Sequence, residues 1–190
     1  MPNAFEVLAK DHEEVKRMLS ELELGPTAAT GATSDQLALR QKMVQQLVIE
    51  ESKHEAVEEM YFWPAVRSHL ADGDVLAEQG QDQEQQGKFI LDRLDKVSPE
   101  DEEFEDQITH FISTGRAHIE FEETAVWPSL LLALTAEEAA DLGRELEEAK
   151  QTAPTRPHPN TPPSAGLLKV AGAAVAAADR LRDAVTGRGG

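Results

Sequence analysis

Two stretches of this sequence have the residue types and spacing to hold metal ions. The first is His54-Glu55-Ala56-Val57-Glu58-Glu59, followed by Trp63-Pro64. The second is His118-Ile119-Glu120-Phe121-Glu122-Glu123, followed by Trp127-Pro128. Both read His-x3-Glu-Glu-x3-Trp-Pro, and the matching residues stand at a constant offset of 64. On a helix, residues four apart share a face, with Cβ atoms about 6 Å apart. A neutral imidazole and a carboxylate so placed can bind one ion, or the carboxylate can reach across to a second. Two such helices facing each other supply two His and two Glu. That is a frame for two metal ions bridged by carboxylates. A single His-x3-Glu is a weak signal. Its repetition with the trailing Glu and Trp-Pro is a strong one, because a face used only for packing has no need of His and Glu. Both are costly to bury unless paired or metal-bound.

The elements that must carry these residues are helices. Phe5, Leu8, His12, Val15, Leu19 and Leu22 recur at steps of three and four over residues 4–23, one face of a helix. Gly25-Pro26 ends it. Ser34 reads as the N-cap of a second helix running to Leu70, with Pro64 expected to kink or interrupt it. A third helix is expected over about 74–96, and a fourth from near Pro99 toward Trp127-Pro128. A short fifth, about 135–150, is headed by Thr135 with Glu138 three residues on, a capping box. No stretch alternates with period two for long enough to be a strand. The expectation is an all-α fold, an antiparallel up-down-up-down four-helix bundle with an extra C-terminal helix or helices.

Two further ligands should come from the first and third helices. His12 lies on the apolar face of the first, where it is either core or ligand. The third has no His. Aligning Leu19 and Leu22 with Leu91 and Leu94 gives an offset of 72, which sets Glu84 opposite His12 and Lys88 opposite Lys16. Glu84 is therefore the candidate there, against a solvated Glu in the polar run 81–86. Gln83 is the nearest alternative.

Charge and composition narrow the function. The chain of 190 residues has 18 Lys and Arg against 36 Asp and Glu, a net charge of −18. Such an acidic surface is repelled by phosphate backbones and anionic lipid, so neither nucleic acid nor membrane is expected as a partner. No cysteine is present, which removes disulfides, thiolate metal sites and thiol catalysis. No signal-peptide pattern and no long apolar run occur, so a cytoplasmic location is expected. No phosphate-binding glycine loop or Gly-x-Ser-x-Gly elbow is present. Residues 1–151 carry 13 basic and 34 acidic side chains, residues 152–190 carry 5 and 2. The change falls at Pro154, Pro157, Pro159, Pro162 and Pro163. The division expected is 1–150 for the bundle with its short fifth helix, 151–164 for a stiff proline-rich linker, and 165–190 for an Ala-rich helix or tail. Leu167, Val170, Ala174, Ala178, Leu181 and Val185 would form its apolar stripe, for docking or for a homodimer.

With His12, the two His-x3-Glu pairs and their aromatic-Pro elements laid over four helices, residues 4–130 resemble the hemerythrin-like, or HHE cation-binding, domain family. The resemblance implies a non-haem diiron centre, two irons with an oxo or hydroxo bridge, iron ranking ahead of manganese. By position His12, His54, Glu58, His118 and Glu122 would be ligands, with Glu58 and Glu122 bridging. The departure is Glu84, where the family usually has His. Three carboxylates around the metals favour the harder ferric state over reversible oxygen carriage. Together with the family's links to peroxide breakdown, nitric-oxide chemistry and iron or oxygen sensing, this points to an oxidoreductase acting on hydrogen peroxide (catalase-like) or nitric oxide. The alternative is an oxygen- or iron-binding or sensing protein without turnover, and metal content separates both from a metal-free interaction module. Tyr61, three residues after Glu58, either packs in the core or donates a hydrogen bond to a ligand at the metals. Glu55, Glu59 and Glu123 are expected at the surface or supporting the site. Trp63 and Trp127 are expected to plug helix ends. His69 and His110 lie too far along their helices from His54 and His118, and His158 sits in the proline-rich linker.

Overall fold

A computed structural model describes residues 2–160 and the backbone of 165–188, with side chains from 172 onward in the latter. Every regular element among these residues is helical. The four helices of the bundle are α1 (Ala4–Leu24), α2 (Ser34–Val57), α4 (Gly73–Leu94) and α5 (Glu102–Phe121). Short helices α3 (Trp63–His69) and α6 (Trp127–Ala133) extend α2 and α5, and α7 (Ala136–Lys150) and α8 (Ala165–Thr186) complete the chain. α1 packs on α2 and α5, and α4 packs on α5 and α2, which closes the ring of an antiparallel four-helix bundle. No helix of the described residues is long and apolar enough to cross a membrane.

Local signals explain the boundaries. Asn3 and Glu6 form a capping box that starts α1. Thr33, rather than Ser34, caps α2, with Gln36 closing its box. Thr135 and Glu138 cap α7 as the sequence predicts. The prolines act differently from a simple kink. Residues Glu58–Phe62 and Glu122–Val126 each form a π-helical turn, closed by Trp63 N–H to Glu58 O and Trp127 N–H to Glu122 O. Pro64 and Pro128 then sit in the first turn of α3 and α6, where a missing N–H is tolerated. A wider turn just before each proline makes room for its ring without ending the helix.

The core is in two parts. One apolar cluster holds Leu8, Val57, Phe62, Trp63, Val66, Ala77, Val126 and Leu130. The other holds Val15, Leu19, Leu47, Val48, Leu91, Phe104, Phe111 and Ile119. Between them lies a layer of buried polar residues: His12, Glu51, His54, Glu55, Glu58, Glu59, Glu84, Lys88, His118 and Glu122.

The C-terminal arm is bound to the bundle. Residues 153–155 and 157 are buried. Arg156 pairs with Asp183 on α8 and with Asp95 at the end of α4, while Thr155 donates to Asp183 and His158 pairs with Asp179. The buried face of α8 comprises Gly172, Ala176, Asp179 and Asp183, and its expected apolar stripe at Ala174, Ala178, Leu181 and Val185 is exposed. Small residues let the helix approach closely, and its aspartates meet Arg156 and His158 in the linker. Pro162 and Pro163, and the side chains of Leu167 and Val170, lie outside the described residues. Asp183→Ala removes the shared anion of this network. It is expected to weaken docking by about 3 kcal/mol, roughly a hundredfold in the open population. Limited trypsin digestion near Arg156 and Arg180 checks this, with the bundle core remaining intact.

Candidate metal centre

The polar layer brings together every candidate ligand that the repeat and the helix alignment point to. His12, His54, Glu58 and Glu122 each offer an atom within 4.8 Å of one another, and so do Glu58, Glu84, His118 and Glu122. Glu58 and Glu122 belong to both groups. Glu58 Oε1 lies 3.3 Å from His54 Nε2, and its Oε2 lies 4.0 Å from His118 Nε2. Glu122 Oε2 lies 3.1 Å from His12 Nε2, and its Oε1 lies 3.5 Å from His118 Nε2. Each carboxylate thus presents its two oxygens to different imidazoles, which is how a bridging carboxylate is held.

The residues fit a cation. Nε2 of His12, His54 and His118, both oxygens of Glu58 and of Glu122, and Oε2 of Glu84 are buried without a hydrogen-bond partner. Such groups are expensive to bury unless something else binds them. Burial, then repulsion from Glu122 and Glu84, pushes the Glu58 carboxyl well above the usual range. Burial, then Glu59, does the same to Glu84. Burial would raise Glu122 too, but the His118 and His12 imidazoles bring it below its ordinary value. Burial holds His118 down to about 4, so its ring is neutral near pH 7 and can present a lone pair. One lysine, Lys88, faces this crowd of carboxylates. Cations bound between them would relieve both the repulsion and the orphaned atoms.

The outer nitrogens of His12 and His118 are oriented by acceptors, and that of His54 faces a carboxylate. His12 Nδ1–H donates to Glu123 Oε1 at 3.0 Å, and His118 Nδ1–H donates to Gln83 Oε1 at 3.1 Å. His54 Nδ1 faces Asp11 Oδ2 at 3.5 Å, and Lys150 pairs with the other oxygen of Asp11. These partners turn Nε2 of each ring toward the centre. Glu123 is further held by Lys16 at 2.7 Å, and Glu59 by Lys88.

A twofold pseudosymmetry organises all of this. Asp11, His12 and Lys16 on α1 stand 72 residues before Gln83, Glu84 and Lys88 on α4. The motif residues of α2 and α5 stand 64 apart. Asp11 serves His54 as Gln83 serves His118, and Lys16 holds Glu123 as Lys88 holds Glu59. Gln83, an alternative to Glu84 as ligand in the sequence, is the acceptor for His118. Glu55 and Glu59 are buried, and Glu123 is partly so. Sequence reasoning did not find Asp11 or Glu51 as parts of the layer, although Asp11 lies beside His12 and Glu51 one turn before His54. Tyr61 lines a cavity of about 100 Å³ with Met60, Ala149, Thr152, Pro154 and Gly172, between the first π turn and α8. His69 and His110 are exposed, and His158 is taken by Asp179.

Comparison with known proteins agrees with this geometry. The model of the hemerythrin HHE cation binding domain matches residues 3–130. The chain belongs to the hemerythrin HHE family. A hemerythrin-like protein of Schizosaccharomyces pombe is 28% identical over 139 residues, which is 73% of this chain and 68% of the relative. A DNA nickase of Nostoc sp. is 24% identical over 148 residues, but the chain spans only 39% of that protein's length. The crystal structure of a hemerythrin HHE cation binding domain-containing protein from Mycobacterium kansasii has a TM-score of 0.65 at 21% identity, covering 94% of this chain and 99% of that one. That likeness is one of fold. The HHE domain is a cation-binding domain, and the cluster of buried His and Glu residues here could hold a metal ion.

Proposed function

We propose that this HHE protein holds two iron ions between α1, α2, α4 and α5. It is redox-active toward hydrogen peroxide or nitric oxide rather than a reversible oxygen carrier. The observation that carries the reading is that Glu58 and Glu122 are shared by two separate groups of candidate ligands. His12 and His54 would hold one ion, His118 and Glu84 the other, with Glu58 and Glu122 available to both. Iron pairs held this way supply electrons by changing between the ferrous and ferric states. The chain's residues do the rest. Asp11, Gln83 and Glu123, facing the outer nitrogens, would hold the imidazoles in their ligating tautomer. The two apolar clusters exclude bulk water from the layer between them. Glu84 adds a third carboxylate, and anionic oxygen ligands stabilise the ferric state, which opposes reversible oxygen binding.

One observation favours the alternative of a sensor. α8 packs directly on the π turn that begins at Glu58, so a shift of that carboxylate would reach the arm. Turnover separates the two readings. The iron-loaded chain, mixed with excess peroxide, is expected to evolve many equivalents of oxygen per chain, or, given a reductant, to consume nitric oxide catalytically. A single stoichiometric colour change with neither ligand turned over would favour the sensor.

A further inference from the structure

The two tryptophans of the repeat do different work. Trp127 stacks on the His12 ring, with centroids 4.9 Å apart and planes 13° from parallel, and its Nε1 is buried without a partner. Trp63, its mate 64 residues earlier, donates its indole N–H to Glu84 Oε1. Trp63 is fully buried and Glu84 nearly so. The indole reaches Glu84 because α4 has a glycine beneath it. A Cβ at Gly80 would stand 2.2 Å from the Trp63 ring. Glu84 is thereby left with one oxygen engaged and the other, Oε2, unpartnered, and the residue belongs to the ligand group that includes Glu58, His118 and Glu122.

We propose that Trp63 is the positioning residue that makes the α4 ligand a carboxylate. Its N–H fixes one oxygen of Glu84 and presents the other to the second metal position, whereas Trp127 offers a ring face and so holds an imidazole. The pair of tryptophans thus sets which ligand each half of the pseudosymmetric site accepts. A His at position 84 would leave the Trp63 N–H buried without an acceptor, a loss that a carboxylate avoids. A glutamate held at one oxygen is also restrained to bind through the other, which keeps it from swinging to chelate or from leaving. The inference rests on the metal-centre reading for its consequence, but the Trp63–Glu84 contact itself is testable without metal.

Two measurements test it. In the metal-free full chain labelled with 15N at the indoles, two side-chain N–H signals are expected. Glu84→Gln should move the Trp63 signal, assigned by its absence in Trp63→Phe, and leave that of Trp127 in place. In the zinc- or ferrous-loaded chain, Trp63→Phe should speed removal of metal by a chelator about 10–100-fold. In the Glu84→His background the same substitution should add nothing, and Trp127→Phe, which removes no hydrogen bond, should leave the Trp63 signal unmoved. If Glu84→Gln moves neither indole signal, the inference is overturned even if Trp63→Phe fails to fold. It is also overturned if Trp63→Phe changes metal release equally in both backgrounds, because that is lost packing. Failure of the unmodified chain to hold any metal would instead remove the reading of the centre, with the indole result standing by itself.

Discussion

Glu58→Ala is expected to lose the paired centre, retaining one metal ion or fewer per chain where the unmodified protein retains about two. The reason is geometric. Glu58 gives one oxygen toward His54 and the other toward His118, so its removal takes a ligand from both positions together. Glu122→Ala should act alike, since its oxygens face His12 and His118. A ligand that served one ion alone would leave the other bound. The effect on stability should have opposite signs with and without metal. Without metal, burial and neighbouring carboxylates raise the Glu58 carboxyl well above its ordinary range, so a neutral side chain there relieves repulsion. Glu58→Gln should therefore be at least as stable as the unmodified chain when both are metal-free. With metal, the unmodified chain gains about 4 kcal/mol at a thousandfold excess over Kd, about 10 °C in Tm, and the variant forfeits most of it. Metal analysis by mass spectrometry and thermal melts with and without chelator check both parts.

Glu84→His is expected to shift the chemistry from turnover toward binding. It exchanges an anionic oxygen for a neutral nitrogen and so reduces the charge that stabilises ferric iron. The ferrous form should then resist autoxidation on the order of tenfold longer, the change that about 1.4 kcal/mol of differential stabilisation produces. Peroxide-driven turnover should fall, and oxygen taken up by the ferrous protein should be recoverable on lowering its pressure. The measurement is stopped-flow oxidation of the ferrous protein together with an oxygen-release assay. Equal behaviour of the two proteins would show that the third carboxylate does not set the chemistry. The buried indole N–H of Trp63 complicates the substitution, because it loses its acceptor. The double variant Trp63→Phe with Glu84→His should therefore be the better behaved of the two.

Much of this site is legible in the sequence because two duplications leave fixed offsets. The offset of 64 identifies His54, Glu58, His118 and Glu122 from spacing alone. The offset of 72, read from leucines far from the site, sets Glu84 against His12, and the structure puts both beside Glu58 and Glu122. The same arithmetic applied to Asp11 would have pointed to Gln83 as its counterpart. What is not legible follows from physics that operates beyond one helix. The π turns arise where a proline ring must be accommodated in an otherwise continuous helix, and residue spacing does not separate that from a kink. Glu55 and Glu59 look like solvent-facing residues in an acidic stretch. Glu59 is buried because Lys88, on another helix, pairs with it, and burial raises the Glu55 carboxyl well above its ordinary range. The face that α8 buries follows from Arg156 and His158 meeting Asp179 and Asp183, contacts between segments that periodicity within α8 does not reveal.

The pseudosymmetry also shows where the two halves have diverged. α1 offers an imidazole under an indole face, and α4 offers a carboxylate under an indole N–H. His54 and His118 lean on an aspartate in one half and on an amide in the other. An anionic acceptor makes its imidazole the stronger donor to a metal, so the His54 position should bind the first ion more tightly.

Metal stoichiometry with an absorption spectrum is the most direct test for a carboxylate-bridged pair of irons. The full chain, reconstituted anaerobically with ferrous iron, then exposed to air and desalted, is predicted to retain about two irons per chain. It should show a near-ultraviolet charge-transfer band that bleaches on reduction and is missing in Glu58→Ala. Retention of no iron, or of a single iron unaffected by removal of either Glu58 or Glu122, would contradict it.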